Sequence, residues 1–153
     1  MAKAAPKYLA REMSMSEAVS EAMSELQTLA EEMREAFDNT PESLQGGGVG
    51  EARGEAADNL ENLSEPDVPT SLEAIKVAWS VRELSPSKLR KQSRSDRRND
   101  ALETLSAVTA KLEEIKDDEA SSEELAGDAE TLRDEIENLM SDAENVEFPG
   151  MYG

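Results

Sequence analysis

Apolar residues recur along much of this chain at alternating steps of four and three. Val19, Met23, Leu26, Ala30, Met33 and Phe37 set out the first such run. A stripe of that spacing is one face of an amphipathic helix packed against other helices. Ser14 and Glu17 precede it at capping-box spacing, so the pattern predicts a helix over 14–39. Pro41 then stops it, having no N–H to give to the preceding turn. The rhythm returns in Ala101, Leu105, Val108, Leu112 and Ile115, which predict a helix capped by Ser95 and running to Lys116. Ser121 and Glu124 repeat the capping-box spacing, and Leu125, Ala129, Leu132, Ile136, Leu139, Ala143 and Val146 carry the stripe onward. Only a short acidic turn, Asp117-Asp118-Glu119, separates these two helices. They are expected to fold back on each other as an antiparallel hairpin.

The stretch between is less regular. Gln45-Gly46-Gly47-Gly48-Val49-Gly50 reads as a flexible hinge. A glycine loop ahead of a helix can cradle a phosphate, but no Lys, Ser or Thr follows at Walker spacing, and Glu51 and Glu55 would repel an anion. Residues 51–63 predict a shorter helix with Ala52, Ala56, Leu60 and Leu63 on one face, ended by Pro66 and Pro69. Residues 71–84 fit two patterns. Leu72, Ile75, Trp79 and Arg82 align on a helix, while Ile75, Val77, Trp79 and Val81 alternate with Lys76, Ala78, Ser80 and Arg82 as in a half-buried strand. No second strand is evident to pair with it, which favours helix. The expected fold class is all-α: about five amphipathic helices in an irregular bundle with a C-terminal antiparallel hairpin.

Charge divides the chain further. Its net value is −19. Residues 1–13 form a basic N-terminal arm, and 14–70 an acidic helical segment containing the hinge 45–50. Residues 71–98 form a basic connector, 99–146 the acidic hairpin, and 147–153 an aromatic tail. Lys88, Arg90, Lys91, Arg94, Arg97 and Arg98 concentrate the connector's charge. Such an island can contact phosphates. Alternatively, it supplies counter-charge to the acidic helices of the same chain or of a second copy. The second role is favoured, because the field of so acidic a chain repels nucleic acid and no aromatic interleaves the island to stack on bases.

Composition removes most chemistry. There is no His and no Cys, hence no imidazole base, no thiolate nucleophile and no thiolate-bound zinc. Aromatic residues make up 3% against 33% charged, which implies a thin core of Ala, Leu and Met and a poor host for a carboxylate-based active site. No catalytic, cofactor or metal residue is assigned, and the Asp117-Asp118-Glu119 turn lacks the ligand spacing of a calcium loop. No apolar run reaches membrane-span length and the N-terminus lacks the apolar core of a signal peptide, so no membrane contact is expected. The tail sets Phe148, Met151 and Tyr152 beside Pro149 and Gly150, suited either to a partner's groove or to covering the end of the bundle.

Three segments carry a resemblance. Asp38-Asn39-Thr40-Pro41-Glu42-Ser43-Leu44, Glu61-Asn62-Leu63-Ser64-Glu65-Pro66-Asp67-Val68-Pro69 and Ser93-Arg94-Ser95-Asp96-Arg97-Arg98 resemble segments of small uncharacterised proteins of tailed bacteriophages. The resemblance implies a viral origin and brings no activity with it. It implies action in the cytoplasm of an infected bacterial host, or incorporation in the virion. The leading expectation is a non-catalytic helical interaction or structural protein, an assembly or virion component acting through its helix seams and aromatic tail. Its partner is a protein, either a second copy in a homo-oligomer or other members of a viral assembly. Two alternatives stay open. One is an acidic mimic of nucleic acid that inhibits a host DNA-binding or defence enzyme, with Glu17, Glu21, Glu25, Glu32 and Glu35 and then Glu130, Asp134, Glu137 and Glu144 copying a phosphate array. The other is direct nucleic-acid binding through the basic connector.

Overall fold

Serines begin three of the long helices, each accepting a hydrogen bond from a backbone N–H that the first turn leaves unpaired. Ser14 caps α1 (Met15–Asp38), accepting from Glu17 N at 3.2 Å. The computed structural model describes residues 7–148, and among them lie seven helices and two strands. After α1 come two short pieces and a third helix: α2 (Glu42–Gln45) and α3 (Gly48–Glu61), then the single turn α4 (Thr70–Glu73). The glycine hinge is shorter than expected, because α3 already starts at Gly48 and only Gly46 and Gly47 link it to α2. Past α5 (Pro86–Arg90), α6 (Arg94–Asp117) opens on a full capping box between Ser93 and Asp96. That reciprocal pair displaces the expected cap at Ser95. Ser122 rather than Ser121 caps α7 (Glu123–Glu144), accepting from Leu125 N at 3.1 Å.

The mostly helical character follows the sequence pattern, but residues 71–84 correct it. They form α4 and then a strand, β2 (Lys76–Arg82), instead of one helix. The missing partner is β1 (Tyr8–Ser14), in the segment that the sequence marks only as a basic arm. The strands pair antiparallel from Tyr8 opposite Arg82 to Ser14 opposite Lys76. Directly opposed residues share a face, so Leu9, Arg11 and Met13 lie with Val81, Trp79 and Val77 on one side. Arg11 in the middle of that face conceals the alternation of β1. It is tolerated there because its guanidinium reaches Glu21 of α1 at 3.3 Å.

One hydrophobic cluster joins α1, α3, α4, β2, α6 and α7. α1 packs on α3 and α6, α6 packs on α7, and β2 lies against α6. α6 packs along α7, with Lys116 3.8 Å from Glu130 and Arg98 donating to the Val146 carbonyl. α1 buries Ala18, Ala22 and Leu29 in addition to its predicted stripe, because it is covered on two sides. The stripe residues of α1, α6 and α7 from Val19 to Val146 are thus almost all interior to this one chain, with Phe37 and Leu125 the partly covered exceptions. They are not left over for another protein.

Small residues let α3 come close to its neighbours. A Cβ on Gly50 would run into the Leu44 carbonyl and the Gln45 backbone, whereas one on Gly127 of α7 would meet nothing. Gly127→Ala should therefore raise the unfolding free energy by about 0.5–1 kcal/mol through helix propensity alone. Gly50→Ala should lower it by about 1–2 kcal/mol, because overpacking against backbone outweighs the same propensity gain. Urea melts of the two variants beside the parent protein check the opposite signs.

Candidate functional site

The basic island sits where α5 turns into α6, and the fold splits it in two. Arg94, Arg97 and Arg98 occupy the start of α6, where cations oppose the helix dipole. Each is compensated by a partner distant in sequence. Arg97 places Nη1 and Nη2 at 2.9 and 2.8 Å from the two carboxylate oxygens of Glu32 and Nε 2.8 Å from Glu25 Oε1. Glu25 and Glu32 stand two turns apart on α1, so one guanidinium fastens the start of α6 across α1. Arg94 adds a longer contact to Glu32 at 3.4 Å. The hydrogen bond from Arg97 holds the Glu32 carboxyl below its ordinary range, against the opposing effect of its partial burial.

Arg98 reaches the last carbonyls of α7 instead. Its Nη1 donates to the Val146 carbonyl at 2.6 Å and approaches those of Ala143 and Glu144 at 3.4 Å. α7 has no basic residue in its last turn, so Arg98 supplies the cation that its exposed carbonyls favour. The ring of Phe148 lies under the same guanidinium, 5.4 Å from ring centroid to Cζ, and packs on the core cluster. Phe148 is therefore taken up within the chain. Met151 and Tyr152 lie outside the described residues.

Lys88, Arg90 and Lys91 are placed differently. All three are exposed, and among the described residues no carboxylate lies within ion-pair distance of any of them. Ser85 caps the turn that carries them, accepting from Lys88 N at 3.2 Å. Leu89 stands between them with 53% of its surface in solvent. Together they form one bank of an open groove of about 1580 Å³, and Glu17, Glu21 and Glu25 of α1 form the opposite bank. The two banks do not close on each other. The result is a cationic turn with an apolar tip on a strongly acidic chain.

The sheet supplies features that sequence reading missed. Tyr8 and Leu9 of β1 are 64% and 49% exposed. A second groove of about 960 Å³ runs between β2 and α6, lined by Trp79 among others. The Trp79 indole Nε1 is buried without a hydrogen-bond partner. The alternation of Val77, Trp79 and Val81 is the available signal, and it carries no mark of the strand that pairs with it. Among the described residues no group of three or more acidic side chains is arranged to hold a metal ion, and no helix is long and apolar enough to cross a membrane. No protein-family model, curated protein or solved structure matches the chain.

Proposed function

We propose that this chain is a non-catalytic interaction protein, a small helical component of a larger protein assembly, which docks onto an acidic protein surface through the turn carrying Lys88, Leu89, Arg90 and Lys91. The observation that carries this reading is the division of the island. Arg94, Arg97 and Arg98 neutralise groups of their own chain, while the next three cations are left exposed around an apolar tip. The helix seams, by contrast, are consumed in the core, so they offer a partner little. The segments that resemble proteins of tailed bacteriophages make a virion, or its assembly in the infected cell, the setting we propose.

The acidic-mimic reading has less support from the geometry. Arg133 sits in the middle of the acidic face of α7 and engages Glu113, Asp134 and Glu137, interrupting the run of negative charge. Direct nucleic-acid binding by the exposed turn lacks a stacking platform beside it.

The test is a reversal of the exposed cations. Full-length protein and the combined Lys88→Glu, Arg90→Glu, Lys91→Glu variant serve as baits for purified virion and assembly proteins, with affinity read by calorimetry. The variant is expected to fold as the parent does and to bind at least about tenfold more weakly, roughly 1.4 kcal/mol, with the parent's affinity falling as salt rises. Equal binding by the two baits, or nuclease-sensitive recovery of nucleic acid in place of protein, would rule the proposal out.

A further inference from the structure

We infer that the segment between β2 and α6, residues 83–93, is a processing site. An endopeptidase that takes Lys or Arg cuts the folded chain there, after Lys88, Arg90 or Lys91, and the two pieces stay together in one fold. A protease cleft accepts its substrate as an extended strand, so a native chain is cut where a segment opens without unfolding its neighbours. α5 is such a segment. It buries no side chain, and the hydrophobic core holds nothing between Trp79 and Ala101. Among the described residues the hydrogen bonds of Ser85 to Lys91 stay within residues 85–92; Leu89 N donates to the Ser85 carbonyl at 3.0 Å and Lys91 N to that of Lys88 at 3.2 Å. The anchors stand on either side. Glu83 N donates to the Lys7 carbonyl at 2.8 Å, Gln92 Nε2 reaches Asp100 at 2.9 Å, and Ser93 shares its capping box with Asp96. Opening the turn between them uncovers no core and breaks only local bonds.

The side chains choose the enzyme. Lys88, Arg90 and Lys91 are exposed, and no ion pair has to break before one of them enters a protease. The class they suit is a serine endopeptidase with a carboxylate at the base of its primary pocket. Past Lys7, every other Lys and Arg among the described residues lies in β1, β2, α1, α3, α6 or α7, where ladder or helix bonds hold the main chain. In the cut, water adds to the carbonyl carbon as the C–N bond breaks. One piece is left with a carboxylate and the other with an ammonium.

The contacts that join the pieces lie away from the turn. The first piece keeps both strands and α1 to α4, and the second keeps α6 and α7. α6 packs on α1 and β2, and α7 packs on α4. Arg97 ties α6 to Glu25 and Glu32, and Ser71 Oγ donates to Asp128 Oδ2 at 2.7 Å. The cut therefore leaves the fold standing but removes the covalent link that made this packing intramolecular. It also falls in the turn proposed above to dock, and on that reading it divides the docking surface.

The probe is trypsin at low ratio, added to the full-length protein in native buffer, with the fragments weighed by mass spectrometry. The first cuts are expected after Lys88, Arg90 or Lys91. Both fragments should then elute from size exclusion together at the parent's volume, with the helical circular dichroism retained and the urea midpoint lowered. The combined Lys88→Gln, Arg90→Gln, Lys91→Gln variant changes only exposed, unpaired side chains. It should fold as the parent does and survive at least about tenfold longer. First cuts at Arg34, Arg53, Lys111 or Arg133, which need a long helix to unfold, overturn the inference. So does loss of the variant at the parent's rate, or a native chain that stays whole until it unfolds. Fragments that separate on cutting overturn it as well. All of these readouts are made without a partner, so an uncut turn leaves the docking reading standing.

Discussion

Leu105→Ala should lower the unfolding free energy by about 2–5 kcal/mol, the largest effect expected of any single substitution in this protein. Leu105 is completely buried, and its helix is covered by α1, α7 and β2. Truncation therefore removes apolar contacts on several sides at once, and the surrounding helices can close the cavity only in part. The fully buried core is aliphatic, and the rings of Trp79 and Phe148 pack only at its margin. A thermal melt is expected to shift down by roughly 5–15 °C. Leu89→Ala, the exposed counterpart at the tip of α5, should change stability by no more than about 0.5 kcal/mol. A Leu105→Ala melt within a degree of the parent would mean that α6 does not occupy the centre of the core.

Arg97→Ala should cost about 2–3 kcal/mol, because it strips charge-assisted hydrogen bonds from two carboxylates of α1 at once. The Arg97 side chain retains 25% exposure, which keeps the effect below that of breaking a fully buried pair. It also leaves Glu25 and Glu32 to add to the self-repulsion of a chain with net charge −19. A double-mutant cycle with Glu32→Gln measures the coupling, which should be at least about 1 kcal/mol. The same pair predicts a pH dependence. Because Arg97 holds Glu32 below its ordinary value of 4.5, the unfolded chain binds the proton more readily than the folded one. The stabilisation is therefore present above that value and is lost as pH falls through the lower folded value. Stability of the parent should drop over this acid range by more than that of Arg97→Ala, and parallel curves would remove Arg97 as the cause.

The island containing Arg97 shows how far sequence reading goes. Its six cations are indistinguishable in composition, and a phosphate-contacting patch and an internal counter-charge were both consistent with them. Which cation does what depends on register along α6. Arg94 and Arg97 face α1, Arg98 faces the last carbonyls of α7, and Lys88, Arg90 and Lys91 precede the helix and face solvent. Phe148 was legible as an aromatic near the end of the chain, but its place beneath Arg98 depends on α7 returning to the start of α6. The cap positions are a smaller case. Ser93 and Ser95 both precede the apolar rhythm, and only Ser93 has an acidic residue three positions on to complete the box.

The sequence by itself determined the mostly helical character, the approximate spans of α1, α3, α6 and α7, and the division into charge blocks. These depend on neighbours three and four positions apart, on caps and on prolines, all within a short window of the chain. Tertiary structure alone decided that residues 8–14 and 76–82 pair, that the apolar stripes are satisfied inside one chain, and that half of the basic island is neutralised while half is exposed. Each of these joins residues many tens of positions apart. A strand edge or an arginine carries no local mark of its partner, because pairing is settled by which surfaces the packed helices bring together.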